Sequence, residues 1–135
     1  MALLFIDSAY LVALIHPRDQ LRATALEIRA KIAAERLLVT ESVLVETLNY
    51  FAEFRRDVKS TAYLVVERFL LNPEVEIVEQ TTHVFHDGME LYRSRLDQGY
   101  SLTDCISMEV CRQRRIRQIL TNDDHFLTEG FEILL

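Results

Sequence analysis

The strongest constraint on this chain is a rhythm: five short apolar runs, each separated from the next by a segment long enough to form a helix. The first, Ala2 to Ile6 (ALLFI), is apolar at every position and stops at Asp7. A continuous run of that size suits a strand covered on both faces, because side chains pointing either way then meet core. Leu37 to Thr40 (LLVT), Val75 to Val78 (VEIV), Ile119 to Thr121 (ILT) and Phe131 to Leu135 (FEILL) are the other four. Between them the apolar spacing predicts helices over roughly 19–35, 41–56, 58–71, 82–96 and 103–115, and His16-Pro17 closes a short first helix. Parallel neighbours need a crossover, and helices make the best crossovers, so the alternation predicts an α/β sandwich with a mainly parallel sheet. Asn72-Pro73 reads as a turn and Gly99 as a helix stop, with no linker, so residues 1–135 are expected to form a single domain.

In open α/β sheets, ligands sit beyond the carboxyl ends of the strands. That rule singles out Asp7, directly after the first run, and Asp123, two residues past the fourth. Two further acids stand where apolar residues are expected. Glu46 shares a helix face with Val43, Tyr50 and Phe54, and Asp104 heads the stripe Asp104, Met108, Cys111. Each has a plain structural explanation: a turn for Asp7 and Asp123, a solvated helix edge for Glu46, and a dipole-favoured first turn capped by Ser101 or Thr103 for Asp104. Together they say more, because four anions converging at one sheet edge would repel and stay protonated unless a cation held them. An oxygen-only donor set favours a hard cation, Mg²⁺ or Mn²⁺, over zinc. Such a centre suits phosphodiester hydrolysis and needs no protein nucleophile.

The net charge of -6 opposes broad attraction to nucleic acid, but acids clustered around a divalent cation would invert the local sign. Arg112, Arg114, Arg115 and Arg117 form the densest basic run; of these, Arg112 and Arg115 are expected phosphate contacts, and the competing reading is a solvated helix end. Arg55, Arg56 and Lys59 make a looser cluster. His83 and His86 stand three apart without a third ligand nearby, and His125 lies close enough to Asp123 to touch substrate, or simply to pack or cap. Cys105 and Cys111, six apart, give neither a metal knuckle nor a redox pair and read as reduced core residues of a cytosolic protein. The apolar start has no Lys or Arg before it and is broken by Asp7, so no signal peptide or membrane anchor is expected and the location is cytoplasmic. Tyr50, Phe51, Phe54, Tyr63 and Phe69 could stack on bases but more often such residues fill a core or a subunit contact.

The segments LLFIDSAYLVAL, VTESVLVETLNYF, GYSLTDCISMEVCRQRRI and ILTNDDHFLTEGFEIL, taken in this order, resemble the PIN-domain nucleases, and among them the VapC-type toxins of bacterial toxin-antitoxin pairs. The resemblance covers nearly the whole chain. It implies a three-layer α/β/α sandwich on a mainly parallel five-stranded sheet, and metal-dependent endonucleolytic cleavage of RNA leaving a 5'-phosphate and a 3'-hydroxyl. Carried over by position, Asp7 is the first metal ligand and Ser8 a polar neighbour orienting it or its water. Glu46 matches the helical glutamate, Asp104 the aspartate of S-L-T-D, and Asp123 that of T-N-D-x-H-F, with Thr121 and Asn122 tuning the last. Asp124 departs from the family pattern, which more often has a basic or polar residue there. A homodimer and an antitoxin protein partner are also implied. The alternatives are a housekeeping RNA-processing nuclease with the same site, and a catalytically silent PIN-like binding or assembly module.

Overall fold

A computed structural model describes residues 2–135. In chain order the elements are β1 (Leu3–Ile6), α1 (Ser8–Ile15), α2 (Arg22–Lys31), β2 (Arg36–Thr40), α3 (Glu41–Tyr50), α4 (Arg56–Leu71), β3 (Val75–Val78), α5 (Thr82–Ser94), α6 (Leu102–Gln113), β4 (Gln118–Leu120), α7 (Asp124–Thr128) and β5 (Glu132–Ile133). The strands make one sheet in the order β3-β2-β1-β4-β5, and every pairing is parallel. The chain therefore winds outward from β1 to β3, returns beside β1 as β4, and finishes at β5. Strand order reverses between β1 and β4, and the crevice at such a reversal is where α/β sheets hold ligands.

Helices α1 to α4 pack on one another, α5 packs on α6, and α3 also touches α6; right-handed crossovers between the parallel strands put the two groups on opposite faces of the sheet. The core lies where β1 and β4 meet these layers: Phe5, Ile6, Ile119 and Leu120 are sealed, as are Met108 and Cys111 of the stripe that Asp104 heads. Both cysteines are buried and unpaired. Helix starts follow side-chain capping. Thr40 Oγ1 accepts from Val43 N–H at the head of α3, and Thr81 does the same for Val84 at the head of α5. Among the described residues, no helix is long and apolar enough to cross a membrane.

The departures from expectation lie at element ends. The helix expected over 41–56 stops at Tyr50, and the chain turns through Phe51 to Phe54 before α4 begins. Phe51 goes into the core, Phe54 packs edge-on to it at 4.9 Å, and His16 lies against both rings. Apolar spacing continues through this aromatic knot, so periodicity alone ran the helix on. The segment expected over 19–35 narrows to α2, because Asp19 Oδ1 accepts from Leu21 N–H and holds a turn there. Gly99 does not stop a helix: α5 ends at Ser94 and Arg95 caps it. The last run yields a strand of two residues, since Phe131 turns inward against Phe126. Even so, Leu134 and Leu135 N–H groups still bond to Ile119 and Thr121 carbonyls of the β4 edge.

Candidate metal centre

Asp7 is the residue at which β1 ends and α1 begins. Its N–H is tied to Leu120 O, so the backbone that carries it is fixed to β4, and the residue is only 4% exposed. Oδ2 accepts a 2.8 Å hydrogen bond from Thr121 Oγ1, while Oδ1 is buried with no partner at all. Burial pushes the carboxyl up from 3.8 to about 7, and the negative charges of Asp104 and Glu46 add to it against the Thr121 hydrogen bond. Thr121, wholly buried at the end of β4, also accepts from Asp123 N–H at 3.1 Å. One hydroxyl thus joins the acid after β1 to the acid after β4.

Asp123 is the N-cap of α7, its Oδ1 accepting from His125 N–H at 2.9 Å. Asp104 is the third residue of α6 and closes a capping box: Ser101 Oγ accepts from its N–H, and its Oδ2 accepts from Ser101 N–H, both at 3.0 Å. The capping explanation and the site explanation of Asp104 therefore hold at once, because the box fixes where the carboxylate stands. Burial raises its pKa, as does the neighbouring Asp123 charge, against the Ser101 hydrogen bonds. Glu46, on α3, accepts from Ser8 Oγ; its carboxyl too is raised, chiefly by burial, and further by Asp104 and Asp123.

All four acids line one open cleft of about 750 Å³, together with Ser8, Asn122, Asp124 and His125. Within it, Asp104, Asp123 and His125 each bring a ligand-type atom to within 4.8 Å of the others, and theirs is the one such group among the described residues. Asp124 stands exposed at the first position of α7, on the rim. Three carboxyls with raised proton affinity and an orphaned buried oxygen are what a donor set for a hard divalent cation looks like without its charge partner, so the residues fit such a cation.

His125 is the member of this group that sequence reasoning left out of the ligand set. The signal lay in Asn122-Asp123, N-cap residues ahead of a turn of helix that would bring residue 125 back beside 123. Arg112 and Arg115 do not line the cleft. Arg112 is held by Glu129 Oε1 at 2.5 Å and lies over the Phe131 ring. Arg115 lines a separate groove with Ala2, Leu3 and Arg117 at the strand-start end of the sheet. Arg114 is paired with Glu76. His83 lies 3.3 Å from Asp87 and His86 meets the Phe85 ring edge-on at 5.4 Å, so these two histidines are engaged separately.

Comparison with known proteins gives three findings. The sequence profile described as PIN domain matches residues 4–129. No curated protein matches the sequence. Among solved structures, the chain is similar to VapC20 of Mycobacterium tuberculosis, described as a sarcin-ricin loop cleaving toxin, at 22% identity and TM-score 0.80 over 95% of each chain. It is also similar to FitAcB of Neisseria gonorrhoeae (13% identity, TM-score 0.71, 98% of this chain and 96% of that one). A third likeness is to VapBC2 of Rickettsia felis bound to a promoter DNA fragment (15% identity, TM-score 0.65, 97% and 96%). At these identities the structural likeness shows the fold.

Proposed function

The chain belongs to the PIN domain family, and from that premise we propose that it is a metal-dependent endoribonuclease, the toxin of a toxin-antitoxin pair. The observation that carries the reading is the meeting of Asp7, Glu46, Asp104 and Asp123 in one cleft at the sheet's switch point, with Asp7 Oδ1 buried and unpartnered. Four carboxylates alone would repel a phosphodiester, so the cleft can admit RNA only with cationic charge inside it. Asp7, Glu46, Asp104 and Asp123 would hold Mg²⁺ or Mn²⁺. When bound, the cation neutralises the phosphoryl oxygens and lowers the pKa of water.

The side chains around the acids keep them in place. Thr121 aims Asp7 by its 2.8 Å hydrogen bond, Ser8 fixes Glu46, and the capping box fixes Asp104 at the head of α6. Asn122 stands exposed on the rim, where it would meet the nucleotide beside the scissile bond. Water adds across that bond: its oxygen joins phosphorus, the P–O3' bond breaks, and the ends are a 5'-phosphate and a 3'-hydroxyl. RNA as substrate is supported by the likeness to the M. tuberculosis toxin, and an antitoxin partner by the likeness to VapBC2. A homodimer is part of the same reading; the outward-facing Tyr63, Leu64 and Leu71 of α4 supply apolar surface for such contacts.

The test is cleavage of total bacterial RNA, with ends mapped, by wild type and Asp104→Asn, each with Mn²⁺ and with a chelator. Cuts that need metal and disappear in the variant are expected. Metal bound without cuts, and no growth arrest on expression, would instead make the chain a silent binding module.

A further inference from the structure

Beside the carboxylates stands a nitrogen that the reading above leaves idle. His125 Nδ1 is closed off from solvent and has no hydrogen-bond partner, although it lies 3.4 Å from Asp123 Oδ1 and 4.0 Å from Asp104 Oδ2. The ring is held in that attitude. Its own backbone N–H is bonded to Asp123 Oδ1, and the Tyr100 ring packs against it at a tilt of 60°, the centroids 5.1 Å apart. The Cε1–Nε2 edge lies beside Gly99, at a distance where a methyl on that glycine would make ordinary contact.

Tyr100 is itself anchored. It is buried, and its hydroxyl donates to Glu129 Oε2 at 2.8 Å. Glu129 is gripped by Arg95 and Arg112 as well; against the opposing effect of burial, these hydrogen bonds hold its carboxyl down at about 2. A chain of packed groups from the Glu129 cluster through Tyr100 therefore keeps the imidazole turned to the acids. Nothing in that chain engages Nδ1. Asp7, nine-tenths buried and more, brings the second unpartnered atom to the same cleft.

We propose that His125 Nδ1 is a nitrogen ligand alongside Asp104 and Asp123, and that it biases this centre toward Mn²⁺ over Mg²⁺. Mg²⁺ keeps oxygen and water ligands and gains little from an imidazole, whereas Mn²⁺ accepts one. The inference rests on the metal-centre reading above. A competing arrangement is an imidazolium that neutralises Asp104 and Asp123 without any cation, and the two differ in sign: removing a ligand weakens binding of the metal that used it, while removing a counter-charge tightens binding of every dication.

The experiment uses the full chain, ¹⁵N-labelled at histidine. Pulsed EPR of the Mn²⁺ complex of wild type needs no substitution and reads nitrogen coordination directly. Calorimetric titration of Mn²⁺ and Mg²⁺ into wild type and His125→Asn, with far-UV circular dichroism to verify folding, supplies the selectivity. Expected are a ¹⁵N coupling present in wild type and lost in His125→Asn, and Mn²⁺ affinity lower by roughly 10-fold or more with Mg²⁺ affinity changed by less than about 2-fold. Mn²⁺ bound without nitrogen coupling overturns the inference and leaves an all-carboxylate centre. So does a coupling that persists in His125→Asn, an equal loss for both metals, or tighter binding of both. No Mn²⁺ binding by wild type would contradict the metal-centre reading itself.

Discussion

At the scale of single residues, Asp7 stores a conflict between stability and function. Its carboxyl is buried, one oxygen is unpartnered, and its pKa stands near 7 where an exposed aspartate has 3.8. Between those two values the metal-free folded protein keeps a proton that the unfolded chain has lost, so unfolding releases a proton and this group's contribution to stability falls as pH rises from about 4 to about 7. Asp7→Asn removes that dependence and keeps an acceptor for Thr121. In chelator at pH 8 it is expected to be more stable than wild type by on the order of 1–2 kcal/mol, with the difference vanishing near pH 4. Denaturant melts of both proteins across that range check it, and a wild type more stable than the variant at pH 8 would contradict it. The same substitution should abolish metal-dependent cleavage, the usual cost of a site built from unsatisfied charge.

At the scale of elements, α6 and α7 stop by the same device. Ile116 N–H bonds to Cys111 O and Arg115 N–H to Arg112 O; Phe131 N–H bonds to Phe126 O and Gly130 N–H to Leu127 O. Both are Schellman ends, and both put one residue in the left-handed region: Arg115 at φ 56° and Gly130 at φ 92°. Glycine fits that backbone and arginine does not. Arg115→Gly is therefore expected to stabilise by about 0.5–1 kcal/mol, and Gly130→Ala to destabilise by about 1 kcal/mol, with opposite shifts in thermal midpoint as the check. Finding both shifts in one direction would contradict the assignment.

What the sequence disclosed of these elements follows from length. β1 was legible because it is apolar at every position and β2 because of the apolar run over 37–39 at its centre, and the long helices because their spacing repeats over several turns. Helix α7 has five residues, too few to show a period, and Asn122-Asp123-Asp124 reads equally well as a turn. The aromatic knot after Tyr50 continues a helical spacing without being helical. Of the acids in the cleft, Asp7 and Asp123 were findable because they follow strand ends, and Glu46 and Asp104 because they stand in apolar helix stripes. His125 was legible as a neighbour of Asp123 but not as a ligand, because the turn of its ring toward Asp104 depends on packing against the Gly99-Tyr100 stretch, which Glu129 anchors.

At the scale of the whole molecule, charge is sorted along the strands. The acids gather at the carboxyl ends, and Arg114, Arg115 and Arg117 line a groove with Ala2 and Leu3 at the opposite end. A chain of net charge -6 with its acids pooled in one cleft presents RNA with repulsion where chemistry would occur, and a cation there reverses that locally. The all-parallel order β3-β2-β1-β4-β5 makes this possible, since placing β4 beside β1 brings Asp7 and Asp123 to the two sides of one crevice.

Whether this crevice holds a metal ion is read out by anomalous diffraction from crystals soaked in Mn²⁺. A single strong peak is expected in the cleft, within coordination distance of the Asp7, Asp104 and Asp123 carboxylate oxygens. A cleft without a peak, or manganese bound only at surface carboxylates elsewhere, would contradict a metal centre there.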